Sequence, residues 1–513
     1  MECTTGARIR NAEAMPFPTE TDRIIVRSAA FAPRQVPKQT YKPSMPLDVK
    51  GVIAERLGEN YTLHQQHLNS TLVRVQQIIG FDQVYARAQG AYLYDREGRD
   101  YLDFLSGYSV FNIGRNHPTV QQAIRDVLEL DLPNMVQMDC SLLSGLLAEA
   151  LLKKLPSHLD AVFFCNSGTE ALEGAIKFAR AATGRSGLVS LDKAFHGLTN
   201  GALSVMGDEH FREGFGPLLE NCARVPMGDL AALEQRLAKG DVAALLIEPV
   251  QGKGVNFPRG DYYLQAQRLC RTHGTLLICD EVQTGLGRTG RWWGFENWDL
   301  EPDIITVAKS LSGGYVPCAA VVARRSIYQK TFSRLDRCVV HSSTFGRNNL
   351  AMVCGLATLQ VLDDEQLVER ARDSGIELLR RLNALKERHS LIKEVRGMGL
   401  MIAIEFHEPT EFALRMGWKL LHSVERELFA QMLVTSLFKK HRILTQIAGH
   451  AVDVIKILPP LIIGEREIER FVTALDAVLE DCRNFPGPIW ELGSSFVRHS
   501  MKRSAAKPVA AAT

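Results

Sequence analysis

Residues 275–317 read TLLICDEVQTGLGRTGRWWGFENWDLEPDIITVAKSLSGGYVP, and two short apolar runs inside this stretch decide the fold. Leu276 to Cys279 has the length and composition of a strand buried on both faces, and it stops on a carboxylate, Asp280. Ile304 to Ala308 is a second such run; it ends on Lys309 and is followed by Ser310 and the pair Gly313-Gly314. Ligands of open α/β sheets lie beyond the carboxyl ends of the strands, so both side chains belong to one edge. A lysine at a strand end is most often a solvated charge. Buried among apolar residues, its amine instead loses affinity for a proton and becomes a nucleophile toward an aldehyde. A buried carboxylate stays ionised when it meets a cation, and the protonated nitrogen of a pyridine ring is one. Together the two side chains describe a lysine Schiff base to pyridoxal phosphate, with an aspartate on the ring nitrogen.

Asp280-Glu281-Val282-Gln283-Thr284-Gly285 and Ala308-Lys309-Ser310 resemble the class III aminotransferases, the group with ornithine, acetylornithine and putrescine aminotransferases. With the matches given below, the resemblance covers about residues 85–475. It implies an α/β architecture, the fold-type I pyridoxal phosphate-dependent transferase. The expected parts are a large domain with a mostly parallel, seven-stranded sheet and a smaller α+β domain built from both chain ends. The boundaries expected are a flexible N-terminal arm (1–50), the N-terminal segment of the small domain (51–130), and the large cofactor-binding domain (131–380). The C-terminal part of the small domain (381–485) and an appended tail (486–513) follow.

Composition narrows the function classes. Of 513 residues, 46% are hydrophobic and 23% charged, which is ordinary for a soluble globular protein. A formal net charge of +2 gives no reason to expect a nucleic acid or an acidic membrane surface as partner. The ten cysteines form no CxxC pair, and several lie in apolar runs, so reduced core thiols and a cytoplasmic location are expected. No apolar stretch reaches transmembrane length, and the N-terminus carries no signal-peptide core, so membrane insertion is not expected.

Taken in order, Val84–Pro118 alternates and turns like a β-hairpin, and Tyr108 matches a substrate-facing tyrosine of the family. Arg115 stands where the family usually has His. The strand Ala161 to Cys165 runs through Ser167-Gly168-Thr169 into a helical stretch. Free backbone N–H groups at such a helix start cradle an anion, and the two hydroxyls add donors. The resemblance makes these three residues the phosphate-binding loop. After the strand Gly187–Leu191, Phe195 matches the aromatic that stacks on the cofactor ring, with His196 beside it, and Val282 matches the residue covering the other face. Gln283 is expected on the ring oxygen. Leu198 replaces a common Arg or Lys, Lys253 replaces a common Glu, and Arg347 replaces a common Gly. Glu248 ends an apolar strand; in ornithine-type members the matching glutamate pairs with the substrate-binding arginine. Thr344 matches a threonine that reaches the phosphate of a neighbouring subunit, which implies a homodimer with shared sites. Arg396, ahead of a Gly-rich bend, matches the arginine that grips the α-carboxylate of amino and keto acids.

The reaction implied is an ω-transamination. Lys309 carries the cofactor and shuttles a proton, Asp280 keeps the ring nitrogen protonated, and Arg396 holds 2-oxoglutarate. The donor is a diamine such as putrescine, or an ornithine-like amine, giving an aldehyde and glutamate. Alternatives are amination of an aldehyde on a larger or lipid-like molecule such as a hopanoid intermediate, an aminomutase or decarboxylase on the same fold, and a catalytically silent homologue that still binds the cofactor. No metal is expected.

Overall fold

The computed structural model describes residues 47–136, 138–423, 428–450, 452–483 and 487. The expected arm up to residue 46 and the tail from residue 488 lie outside them. The chain divides into two units, 1–56 and 57–513. In the first, Val49–Arg56 is a helix. All that follows concerns the second.

Its centre is a sheet of seven strands: β1 (Ala161–Cys165), β2 (Gly187–Leu191), β3 (Cys222–Val225), β4 (Val242–Ile247), β5 (Leu276–Asp280), β6 (Ile304–Val307) and β7 (Ala319–Ala323). They lie in the order β1-β7-β6-β5-β4-β2-β3. The run from β3 to β6 is parallel, and β7 is antiparallel to both its neighbours. β1 therefore points the same way as β6. The carboxyl ends of β1, β2, β4, β5 and β6 share one edge, which gathers the functional loops there. Every residue of β4, VAALLI, is buried, so the strand shows no polar alternation. Each such Val, Leu or Ile contributes about 1.5–3 kcal/mol by leaving water. A charge introduced in β4 would break the sheet at its middle.

Helix α1 (Gly168–Thr183) follows β1. Ser167 caps it with extended backbone and accepts the Glu170 N–H, and Gly184 ends it in the left-handed region. Ala171, Leu172, Ala175, Ile176, Phe178 and Ala179 recur at helical spacing and are buried, which docks the helix on the sheet. This fixes where the N-terminus of α1 points.

Two smaller sheets flank the site. In the first, Tyr85–Gln89, Tyr92–Asp95 and Asp100–Asp103 form an antiparallel meander, completed by Ile443–Leu444 running parallel to the third strand. The second contains β8 (Ile392–Met398), β9 (Met401–Phe406) and β10 (Val454–Ile457), with Gln446–Ile447 at its edge. The Gly-rich bend expected near residue 397 is the tight connection of a hairpin, so Arg396 lies inside strand β8. Phe104 stacks on Phe471 of the helix Glu465–Cys482 at 4.8 Å, so residues from both chain ends share one core.

Candidate active site

A cavity of about 820 Å³ opens at the carboxyl edge of the sheet. Asp280 and Lys309 both line it, together with Ser167, Gly168, Phe195 and Tyr108. Thr169, His196, Glu248, Val282 and Gln283 line it as well. Two of the thirteen expected residues do not, Thr344 and Arg396.

Asp280 is buried at the end of β5, and three donors fix it. Thr306 Oγ1 and the Val282 N–H reach Oδ1 at 3.1 Å, and His196 Nδ1 lies 2.9 Å from Oδ2. Burial opposes charge on His196, but the hydrogen bond and charge of Asp280, helped by Glu248, raise its pKa overall. The pair is therefore a buried imidazole–carboxylate contact at the floor of the cavity. His196 Nε2 has no partner among the described residues.

Lys309 follows β6 in a left-handed conformation, with φ of 47°, unusual for a side-chain-bearing residue and a mark of functional constraint. Burial lowers its amine pKa, against the pull of Asp280 and Glu248. That shift favours the uncharged, nucleophilic form of the amine.

At the α1 terminus the hydroxyls differ. Ser167 Oγ only accepts, from Glu170 N–H at 3.3 Å, so its own proton is available. Thr199 gives its single hydroxyl proton to Glu173 at 2.5 Å. The 2.6 Å contact between Thr169 Oγ1 and Thr199 Oγ1 must then be donated by Thr169. Thr169 thus offers an anion its backbone N–H, and its hydroxyl is spent, contrary to the sequence expectation. A methyl group on Gly168 would lie 2.9 Å from Val282 Cγ1, so the bare glycine keeps the cradle and the slot beside it open.

Glu248 is buried and both its oxygens accept backbone amides, Phe195 N–H at 2.8 Å and Gly252 N–H at 2.7 Å. Burial raises its pKa; His196 opposes this and Asp280 adds to it. Gln283 donates to the Tyr108 carbonyl at 3.2 Å, while its Oε1 is buried without a partner among the described residues. Phe195 meets Phe211 edge-on, and Lys253 stands over Phe211 while pairing with Asp208 at 2.7 Å.

Arg396 requires a correction. Its guanidinium donates to the carbonyls of Gly254 and Val255 and pairs with Glu405 and Glu394. Register on the β8–β9 hairpin sets this, because Glu394 lies opposite Glu405 two residues away from Arg396. All of its fork is used for structure, and Glu248 does not pair with it. Besides Lys309 and the Asp208-paired Lys253, the cavity is lined by a third lysine, Lys456, on β10 and 6% exposed. It donates to the Gly252 carbonyl at 2.8 Å, and its ammonium is 5.5 Å from the Tyr108 ring centre. Burial and repulsion by Lys309 push its pKa down to about 7, with Glu248 opposing and Lys253 adding. The signal was a lysine inside the apolar run Val454-Ile455-Lys456-Ile457-Leu458. Thr344 is exposed in the stretch after His341, beside Ser343, which accepts from Asn166 at the α1 cap.

These groups suit pyridoxal 5'-phosphate: an amine and an anchored carboxylate on one rim, unpartnered polar atoms on His196 and Gln283, and a helix start kept open by glycine. Comparison with known proteins agrees. Residues 75–479 match the family described as Aminotransferase class-III. The aminotransferase PigE of Serratia sp. is 36% identical over 471 residues, 85% of this chain; the chain spans only 55% of PigE's length. Acetylornithine aminotransferase of Bacillus subtilis is 36% identical over 392 residues, 76% of this chain and 93% of its own. Among solved structures, an ornithine aminotransferase from Toxoplasma gondii superposes with a TM-score of 0.73 at 28% identity, over 85% of this chain and 99% of its own. An (S)-enantioselective omega-transaminase from Thermomicrobium roseum gives 0.72 at 30%, over 84% and 99%. The chain belongs to the class III aminotransferases, enzymes of the fold-type I architecture that work with pyridoxal 5'-phosphate.

Proposed function

We propose that this aminotransferase is an ω-aminotransferase that takes the amino group of a primary amine, ornithine-like or a diamine such as putrescine, and passes it to 2-oxoglutarate. The observation that carries the reading is the pairing of two lysines in one cavity, Lys309 as the reacting amine and Lys456 as the amine whose protonated form meets a carboxylate. Pyridoxal phosphate, when bound, supplies an aldehyde for the amine and a ring that withdraws electrons from the reacting carbon.

The chain's own residues do the rest. Ser167, Gly168 and Thr169 hold the phosphate at the α1 terminus. Asp280, oriented by Thr306, Val282 and His196, holds a proton on the ring nitrogen, while Phe195 and Val282 bound the ring slot. Gln283 has a hydrogen on Nε2 beyond the one given to Tyr108, and that hydrogen serves the ring oxygen. The Lys309 amine, held toward neutrality by burial, takes the proton from the donor carbon and returns it. Lys456 takes the carboxylate of 2-oxoglutarate, the part the sequence assigned to Arg396. Tyr108 stands over that site.

The same reading includes two copies sharing their sites. Thr344 is exposed in a stretch with Val339 at 61% and Phe345 at 58%, and a second copy would cover them. It also includes the division at 51–130, 131–380 and 381–485, supported by the shared sheet of residues 85–103 and 443–444. A cytoplasmic location is supported by the nine described cysteines, all free. No described helix is long and apolar enough to cross a membrane.

One observation favours a second reading, amination of an aldehyde on a larger, apolar molecule. Asp208 is neutralised by Lys253 and Glu248 is occupied by amides, so neither is open to the far ammonium of a diamine. Val110, Phe211, Tyr315 and Ile447 give the cavity apolar walls. The test is a screen of putrescine, ornithine, acetylornithine and β-alanine for glutamate formation, with and without 2-oxoglutarate. A long-chain aldehyde with an amino-acid donor forms the second arm. Repeated turnover of donor, beyond one equivalent per site, without 2-oxoglutarate would make the enzyme a mutase or decarboxylase, and activity in the second arm alone would install the second reading.

A further inference from the structure

Residues 106–109 form a turn of left-handed helix, with φ of 44° at Ser106, 61° at Gly107, 63° at Tyr108 and 73° at Ser109. Three of the four carry side chains, and each such residue costs about 1–2 kcal/mol relative to right-handed backbone. Strain of this kind persists only where the surroundings over-determine it. Asp103, itself held by Arg115 at 2.7 Å, caps the turn through the N–H groups of Leu105 and Ser106. The larger constraint is Arg288, which is completely buried.

All five guanidinium hydrogens of Arg288 are placed. Nε donates to Ser109 Oγ at 2.8 Å, and Nη2 to Asn112 Oδ1 at 2.6 Å and Ser106 Oγ at 3.4 Å. Nη1 donates to the carbonyls of Leu400 at 2.9 Å and Pro459 at 2.5 Å. Among the described residues no carboxylate pairs with it directly, so its acceptors are neutral. They come from the turn and Asn112 just after it, from the connection between β8 and β9, and from Pro459, two residues beyond the end of β10. One side chain thus ties the loop that carries Tyr108 to the segment that follows the strand carrying Lys456. The backbone between Asp280 and Arg288 carries Gln283, which fixes the Tyr108 carbonyl.

We propose that Arg288 is a positioning residue for the substrate mouth: it clamps the left-handed turn so that Tyr108 stands over Lys456, and it acts on the carboxylate-bearing substrate through that pair. The proposal rests on the reading of Tyr108 and Lys456 as substrate contacts. A lysine at 288 has three donors and no planar fork, so it cannot hold both the turn and the Leu400 and Pro459 carbonyls.

The test is a cycle of Arg288→Lys, Tyr108→Ala and the double variant, measured as holoenzyme for 2-oxoglutarate KM, for kcat and for absorbance of the bound cofactor. The expected result is a KM raised about tenfold in each single variant, kcat within about threefold, an unchanged absorbance band, and a double variant no worse than Tyr108→Ala. If Tyr108→Ala leaves KM alone, the reading of the mouth is wrong. If Tyr108→Ala raises KM while Arg288→Lys does not, or the two effects multiply, the positioning role is refuted. Should Arg288→Lys fail to fold, Ser109→Ala, which removes the Nε acceptor without touching the charge, takes its place in the same cycle with the same expected outcome.

Discussion

Replacing Lys456 separates the two half-reactions. Its amine is held at about 7 by burial and by Lys309, against an ordinary value of 10.5, and Glu248 and Lys253 are the other charges that bear on it. Only the ammonium can grip a carboxylate. The charged fraction of such an amine is about one-half at pH 7, one-tenth at pH 8 and one-hundredth at pH 9, so kcat/KM for 2-oxoglutarate should fall about tenfold per unit above pH 7. A bound carboxylate raises the pKa again, so kcat itself should fall at higher pH than kcat/KM does. Lys456→Arg, charged throughout, should remove the slope that Lys456 contributes, leaving any from Lys309. Lys456→Met should lose a charge-assisted hydrogen bond, about 1.5–3 kcal/mol, or roughly 10–150-fold in kcat/KM for 2-oxoglutarate. The donor half-reaction is followed by the absorbance change on mixing the loaded enzyme with donor alone, and the acceptor half-reaction by mixing donor-treated, desalted enzyme, which carries the amino group on the cofactor, with keto acid alone. Were Lys456→Met to cripple the donor half-reaction and spare the acceptor, or Lys456→Arg to keep the full slope, the carboxylate would have to be held elsewhere.

Other outcomes follow from the same geometry. Lys309→Ala should lower turnover at least about a thousandfold and abolish the cofactor absorbance band that borohydride removes; a variant that still transaminates would end the assignment. Gly168→Ala places a methyl 2.9 Å from Val282 Cγ1 and should weaken cofactor retention about tenfold, read by fluorescence titration. Arg396→Ala should leave the KM for 2-oxoglutarate within about threefold but lower unfolding free energy by about 2 kcal/mol, seen in urea titration. Lys456 also affects stability. Its folded pKa lies below the unfolded one, so the cost of its buried charge is fully present below about pH 7 and is relieved as pH rises toward 10.5. Lys456→Met should therefore raise the melting temperature more at pH 6.5 than at pH 10.

The parts of this molecule readable from sequence are those set by local composition. Uninterrupted apolar runs mark β4, β5 and β6 because strands covered on both faces have no polar side to show, and Asp280 and Lys309 are found simply by standing at the ends of such runs. The partners of Arg396 are not legible, because strand register, not sequence neighbourhood, decides which carboxylates meet its fork. Lys456 is hidden in the same way, since a lysine in a short strand reads as an edge charge until the opposite wall is known. The turn at 106–109 was invisible, since Ser-Gly-Tyr-Ser holds only one glycine and its conformation is imposed by Arg288, far along the chain.

The meander at residues 85–103 has a consequence during synthesis. Its last strand takes Ile443–Leu444 as a parallel neighbour, with Leu102 N–H bound to the Arg442 carbonyl and Phe104 N–H to that of Leu444. At about 5–20 residues per second, the ribosome needs roughly 17–70 s to deliver the 340 or so residues between them. Throughout that interval the nascent hairpin presents an open edge to the crowded cell, a template for pairing with another chain. Chaperone demand during translation should therefore be concentrated on this early segment, although it contributes only the rim of the finished site.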